Sequence, residues 1–399
     1  MSVTSQIELY YDPYDAGIDV DPYPVYRRLR EEAPLYYNEK YDFYAVSRAD
    51  DVERVLTDHQ TFISGRGAIL DFIRADIEMP PGMFIFEDPP VHTMHRKVLH
   101  GVFTPRRVAE LEHKVRAFCA SSLDAVVGSD RFDFMADLGS LVPMRTIGML
   151  LGIPESEQET HRHDTDRSLR AAPGEQLAPQ EGFADGSSYA EYIDWRAEHP
   201  SDDLMTDLLN AELEEADGTR RRLTRAEVLT YTTLLASAGA ETTGHLIAWS
   251  GVALGRHPDQ RRELVEDPSL IPRAIEEVLR LEPPAQQFAR WVNRDVEFHG
   301  QKVPEGSVIL YLIGAANHDD RRFPDGDRFD IHRQNVKHLS FGFGAHYCLG
   351  SALARLEGRI ALEEILKRIP DWEIDIANAR MAPSPALRGW DSLPAFIGT

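Results

Sequence analysis

The stretch FGFGAHYCLG, Phe341 to Gly350, narrows the possible architectures of this chain more than any other segment. It sets one of only two cysteines in 399 residues among three glycines, directly before a helical segment, GSALARLEGRIALEEIL. Gly342, Gly344 and Gly350 permit unusual backbone angles and the close approach of a flat ligand. The following helix would aim its first free amides and positive dipole end at the Cys348 sulfur, which favours a thiolate. Phe341 could cover the face on which that sulfur sits. On residue chemistry alone, a plain glycine-rich turn and a metal site using His346 and Cys348 remain open. A closed zinc site usually needs four ligands, and no second cysteine is near.

The rest of the chain reads as mainly helical, with small sheets at the margin. Helical periodicity runs through ADDVERVLTDH, TPRRVAELEHKVRAFCASSLDAVV, TRAEVLTYTTLLASAGAETTGHLIAWSGVALGRH and SLIPRAIEEVLRL, whereas DFYAVS, VEFHG and SVILYLI read as strands. There is no fixed-period repeat and no Pro, Gly or Ser-rich linker, so one domain over 1–399 is the simplest parse. Cys119 falls on an apolar helical stripe and reads as a buried free thiol.

Forty-three basic against 66 acidic residues give a formal net charge of -23, which disfavours nucleic acid and anionic membranes as partners. The apolar run Val308 to Ala316 is shorter than the about 20 residues a spanning helix needs, so no membrane anchor is expected. The start, MSVTSQIELYYDPYD, lacks the basic and apolar regions of a signal peptide, and the expected location is the cytoplasm. Two long segments with loop composition, roughly 65–88 and 170–188, are candidates for substrate access.

A second constellation is Ala236-Ser237-Ala238-Gly239-Ala240-Glu241-Thr242-Thr243. A mid-helix glycine costs about 1 kcal/mol relative to alanine, and adjacent threonines add crowding, so something other than helix stability is served. Leu234, Ser237, Ala238, Glu241, Thr242 and His245 share one helical face, which carries small residues, an acid and an alcohol together. A third is the ExxR pair Glu277 and Arg280, one helical turn apart and followed by FPDGDRFD. A fourth is DPPVHTMHR, in which His92 and Arg96 at i,i+4 point the same way.

These motifs together resemble the cytochromes P450, over nearly the whole chain. FGFGAHYCLG matches the family's haem signature FxxGxxxCxG, with His346 where many members have arginine. The resemblance implies the P450 fold, a triangular helical prism enclosing a b-type haem (iron protoporphyrin IX), with Cys348 as the axial thiolate whose electron donation favours O–O cleavage. Phe341, Gly342, Gly350 and Ala238 would contact the haem, and His92, Arg96, Arg290 and His346 would meet its propionates. AGAETT is similar to the family's AGxET pattern, which implies that Thr242 hydrogen-bonds iron-bound oxygen and Glu241 helps deliver protons. The alternative for this pair is a threonine bonded back to its own helix beside a solvated glutamate. Glu277, Arg280 and Arg328 would form a fold-supporting triad. Met94 and His95 depart from the Arg and Leu common at those places.

The implied activity is a monooxygenase that inserts one oxygen atom of O2 into a small hydrophobic substrate, by hydroxylation or O-dealkylation. NAD(P)H would supply electrons through a separate ferredoxin reductase and ferredoxin, to a monomer. Arg96, Lys97, Arg106, Arg107 and Arg355 are the basic residues expected to meet that partner. Ala68, Ile69, Leu70, Phe72, Leu234, Ser237, Gln286, Phe288, Ala386 and Leu387 would line the substrate pocket, most of them apolar. Gln286 and Gln287 could fix a polar group and Arg66 or Arg74 could meet a carboxylate; the alternative for each, and the favoured one, is a structural or exposed place. A terpenoid, steroid, fatty acid or aromatic compound fits this lining. A peroxide-driven peroxygenase of the same fold and a haem-based sensor or carrier are the rival functions.

Overall fold

Free of proline for 32 residues and closed at its start by a capping box, the segment Arg225–Arg256 forms one continuous helix through the middle of the molecule. The Thr224 hydroxyl accepts from the Glu227 amide at 3.2 Å, and Glu227 Oε2 accepts from the Thr224 amide at 2.7 Å, so two otherwise orphaned donors are satisfied reciprocally. In this computed structural model residues 8–398 are described, apart from 100, 156, 157, 159–169, 173, 178–185, 216 and 335. The central helix is buried along most of its length and packs against Leu141–Leu151, Ile271–Leu281 and the C-terminal helix Ser351–Arg368. Its closest crossing is at Gly244, where a Cβ would come within 2.5 Å of the Gly139 carbonyl oxygen, so only glycine permits that approach.

A five-stranded sheet packs at one side, in the order Leu35–Asn38, Phe43–Val46, Val308–Leu312, Gln287–Val292, Phe62–Ile63. Its strand Val308–Leu312 is buried at every position, as expected for a central strand covered on both faces. The remaining sheets have two or three strands. Helix dominance and the strands read from DFYAVS, VEFHG and SVILYLI are all present.

The structure amends two readings. The helical stretch from Thr104 to Val127 is two helices, Pro105–Glu110 and Glu112–Asp124, joined at Leu111. The segment 65–88 carries a short helix Leu70–Arg74 and a turn Phe84–Phe86. Of the segment 170–188, residues 173 and 178–185 lie outside the described part. Among the rest, the Ala171 amide donates to the Pro383 carbonyl and the Leu177 amide to Asp71. Phe134–Leu151 is long and apolar enough to cross a membrane, a segment the sequence reading passed over, yet 61% of it is buried inside the fold. Cys119 is a buried free thiol, and burial pushes it up from its ordinary pKa.

Candidate functional site

The loop before the C-terminal helix is held by its own backbone. The Cys348 amide donates to the Phe341 carbonyl at 2.8 Å and the Gly342 amide to the Leu339 carbonyl at 2.8 Å. Gly342 and Gly344 adopt φ of 68° and 69°. At Gly344 a side chain is excluded twice over, because a Cβ would also stand 3.0 Å from the Leu56 carbonyl oxygen. Gly350 caps the C-terminal helix, and a Cβ there would meet nothing within 4 Å, so that side of the loop is open. Arg355 stacks over the Phe341 ring at 4.4 Å and pairs with Glu276 at 2.6 Å, which fixes both the ring and the guanidinium.

Cys348 is half-buried and reduced. Burial pushes its thiol up, while the amides of Gly350 and Ser351 and the charges of Arg96 and Arg355 pull towards the thiolate. The helix start therefore acts on the sulfur as expected, and the desolvation around it outweighs that pull in the protein alone.

Four basic residues from three segments converge beside this loop. The rings of His92 and His346 lie 4.2 Å apart, and neither nitrogen of the buried His92 has a hydrogen-bond partner. His346 Nε2 is 3.2 Å from the Ser64 hydroxyl. Arg96 donates to the Tyr347 carbonyl, and Arg290 donates to the Ala289 carbonyl at 2.9 Å. Burial and the neighbouring guanidiniums press His92 down to about 4 and His346 to about 2, because a proton on either would add charge to an already cationic cluster. Among the described residues no carboxylate forms an ion pair with any of the four. Concentrated buried positive charge with unused donors calls for an anion of more than one charge.

On the central helix, Ala238 is exposed and Thr242 half-exposed, while Glu241 is buried one residue earlier. The Thr242 hydroxyl donates to the Ala238 carbonyl at 3.0 Å, so in this state it is bonded back to its own helix. Ser237 does the same to Leu234 at 3.2 Å. Glu241 is not solvated: its Oε1 lies 3.6 Å from His245 Nε2 and 3.8 Å from Arg170 Nη2, and has no hydrogen bond in range.

A sequence comparison places these geometries among known proteins. The family pattern of cytochrome P450 matches residues 187–374. A Mycobacterium tuberculosis relative designated cytochrome P450 123 is 38% identical, covering 98% of this chain and 97% of its own length. The cytochrome P450 monooxygenase PikC of Streptomyces venezuelae is 35% identical over 94% of this chain and 90% of its own. The chain belongs to the cytochrome P450 family. The structure of CYP109Q5 from Chondromyces apiculatus superposes with a TM-score of 0.85 at 33% identity, covering 98% of both chains. This chain accordingly has the P450 fold and belongs to a family of haem-binding monooxygenases.

Haem fits what the chain offers. The open side of Gly350, the thiol at a helix start and the unpaired His92 nitrogens beside Arg96, Arg290 and His346 match a flat dianionic macrocycle.

The structure corrects one sequence-derived P450 assignment outright. The buried pair of Glu277 and Arg280 is present, with Nε and Nη2 of Arg280 each 2.8 Å from a Glu277 oxygen. The side chain that completes it is Arg333, whose Nε donates to Glu277 Oε1 at 3.0 Å, and not Arg328. Arg328 is exposed and contributes its main-chain carbonyl, which accepts from Arg280 at 3.0 Å and from Arg333 at 2.9 Å. Arg328 sits at the outer edge of the turn, so its backbone faces inward and its side chain faces out. The Arg in FDIHR five residues later was the available signal.

The expected substrate residues divide in two. Ala68, Leu234, Ala386 and Leu387 share one apolar cluster, with Ile69 packed against it, and Ala285 bridges to Leu387. Leu70, Ile69, Phe288 and Gln287 border a pocket with Tyr14 and Asp71. Phe72, 1% exposed, belongs to the same apolar cluster as Ala68 and Leu234 and packs edge-on against Phe86. The Gln286 side chain is turned to Gly314 and Tyr26 and donates to Pro283 at 2.8 Å, away from the cluster. Arg66 stacks on Trp291 at 4.4 Å and Arg74 donates to the Tyr41 carbonyl at 3.0 Å, so both are occupied structurally.

Proposed function

We propose that this P450 binds haem b with Cys348 as the axial ligand and oxidises a small hydrophobic molecule with electrons from NAD(P)H, passed through a ferredoxin reductase and a ferredoxin. The observation that carries the reading is the convergence of His92, whose two nitrogens have no partner, with Arg96, Arg290 and His346 beside the glycine loop that presents Cys348. When bound, haem supplies the oxygen activation. The chain's residues do the rest: the four basic groups hold the propionates, and the amides of Gly350 and Ser351 hold negative charge at Sγ.

Thr242 Oγ1 would exchange its bond to the Ala238 carbonyl for one to a ligand of the bound haem, and Glu241 would relay the proton that replaces the one donated. The apolar cluster of Ala68, Leu234, Ala386 and Leu387 excludes water and selects an apolar substrate. A steroid or terpenoid skeleton suits it; the structurally similar CYP109E1 of Bacillus megaterium was solved with testosterone, at 26% identity and a TM-score of 0.86 over 96% of this chain and 99% of its own. The acid and alcohol pair favours reductase-driven turnover over a peroxygenase.

The reduced carbon monoxide difference spectrum tests the assignment. A strongly red-shifted Soret band in the native protein, lost in Cys348→Ala, is expected. An unshifted band would exclude the thiolate reading. Oxygen binding without product under NAD(P)H-supported turnover would favour a sensor.

A further inference from the structure

His245 lies one turn beyond Glu241 on the central helix and is fully buried, yet neither of its ring nitrogens has a hydrogen-bond partner. A neutral imidazole has one donor and one acceptor, and burying both unsatisfied is costly. Its position is tightly set: a Cβ on Gly389 would stand 2.1 Å from the ring, so the C-terminal segment clamps it where only glycine fits. His245 Nε2 faces Glu241 Oε1 across 3.6 Å, and Arg170 Nη2 faces the same oxygen across 3.8 Å. Both gaps exceed a direct hydrogen bond, and Glu241 Oε1 and both His245 nitrogens are sealed from solvent, so a small turn of the carboxyl closes either contact. Arg170 in turn pairs with Asp391 at 2.8 Å, and both side chains are partly exposed, so this end of the cluster reaches solvent. The other charged group beside this wall, Arg388, is engaged with Glu282 and stacks on Trp249.

We propose that His245 is a positioning residue for Glu241: with Arg170, it holds the buried carboxyl in the orientation from which it gives up and regains each proton. The proposal rests on the reading of Glu241 as the proton source for the distal site. In each cycle the Glu241 carboxyl loses one proton to the distal site and becomes a carboxylate. His245 stays neutral and steadies the carboxylate through its Nε2–H. One proton from solvent, entering at the Arg170 and Asp391 end, then returns to the Glu241 carboxylate and restores the carboxyl. Arg170 keeps its charge throughout.

The test compares His245→Gln and His245→Asn with Glu241→Gln in the haem-loaded enzyme. The histidine variants are expected to lower product formed per NAD(P)H by about tenfold, comparable to the loss of an outer-shell partner of a catalytic group. Hydrogen peroxide should rise correspondingly, the carbon monoxide band should be unchanged, and peroxide-driven product formation should stay within twofold of wild type. A second readout is independent of turnover. In 15N-histidine-labelled protein, as the ferrous carbon monoxide complex, the His245 Nε2 resonance should move on Glu241→Gln. Full coupling in both histidine variants, or an unmoved resonance, overturns the proposal. Equal loss of reductase-driven and peroxide-driven activity also overturns it, since that marks a packing role. If Glu241→Gln itself stays fully coupled, the underlying reading of Glu241 fails, a result distinguishable from coupled His245 variants beside an uncoupled Glu241→Gln.

Discussion

Arg280 and Glu277 form a two-pronged ion pair, each bond 2.8 Å long, with both side chains sealed from solvent. The remaining Arg280 donors reach the carbonyls of Asn317 at 2.8 Å, Gly326 at 2.6 Å and Arg328 at 3.0 Å. The pair thus ties the helix Ile271–Leu281 to the irregular chain that leads to the Cys348 loop.

Breaking one side leaves a buried charge unpaired, so Glu277→Leu should cost roughly 3–5 kcal/mol and prevent haem loading, read by denaturant unfolding and the haem-to-protein absorbance ratio. Arg333→Ala should cost about 1–3 kcal/mol through its lost bonds to Glu277 and three carbonyls, whereas Arg328→Ala, at an exposed side chain, should stay within about 0.5 kcal/mol. Equal costs for the two arginines would refute the assignment of Arg333.

His92 contributes donors that nothing in the protein uses. His92→Ala should therefore leave apoprotein stability nearly unchanged while speeding haem loss by about tenfold, the equivalent of roughly 1.4 kcal/mol or one hydrogen bond to a charged group. Haem transfer to excess apomyoglobin measures this. An unchanged transfer rate would remove His92 from the propionate set.

The contrast between Arg328 and Arg333 marks where sequence stops being informative. Motif positions tied to regular elements, such as Cys348 before a helix, His92 and Arg96 at i,i+4 or Glu277 and Arg280 at i,i+3, land where their periodicity puts them. Arg328 and Arg333 sit in an irregular turn, where no periodicity says which side chain faces inward. Gln286 fails in the same way: composition near the pocket is apolar, but the direction of its side chain is set by partners distant in sequence, Gly314 and Tyr26. His245 beside Glu241 follows from their i,i+4 spacing, whereas Arg170 and Asp391 come from two other segments and were illegible.

Glu357 on the C-terminal helix is buried, its Oε2 has no partner, and burial raises its carboxyl to about 8. The folded protein therefore keeps this proton up to about pH 8, while the unfolded chain releases it near the ordinary carboxylate range of about 4.3. Between these values the native state binds the extra proton, so stability falls as pH rises through that window and levels off above it. Glu357→Gln should flatten this decline, with a gain of about 2–4 kcal/mol at pH 8 and little change at pH 4. Urea unfolding at both pH values decides it, and parallel profiles for the two proteins would show that Glu357 ionises normally in the fold.

Thr242→Ala should divert reducing equivalents to peroxide and lower product per NAD(P)H severalfold, while Thr242→Ser, which keeps the hydroxyl, should restore most of the coupling. Removal of the Thr242 bond to Ala238 is common to any back-bonded threonine, so a merely structural hydroxyl would alter melting temperature and leave the peroxide-to-product ratio alone.

If the proposed electron donor is a ferredoxin, an acidic class of partner, exposed basic groups on this acidic chain would meet it. Arg355 is engaged by Glu276, and Arg96 by the Tyr347 carbonyl, which leaves Lys97, Arg106 and Arg107 as exposed cations on that side. Arg106 and Arg107 have only loose, exposed neighbours, Glu110 at 3.5 Å and Asp207 at 3.6 Å, contacts worth at most about 1 kcal/mol and open to competition. Reversing both to Glu should slow ferredoxin-supported reduction by about tenfold or more at 10 mM salt, where the screening length is about 30 Å. The deficit should shrink towards wild type at 0.5 M, where steering no longer operates. Stopped-flow reduction under carbon monoxide separates this from catalysis: a salt-independent deficit would point to damage at the haem, and no deficit at low salt would place the docking surface elsewhere.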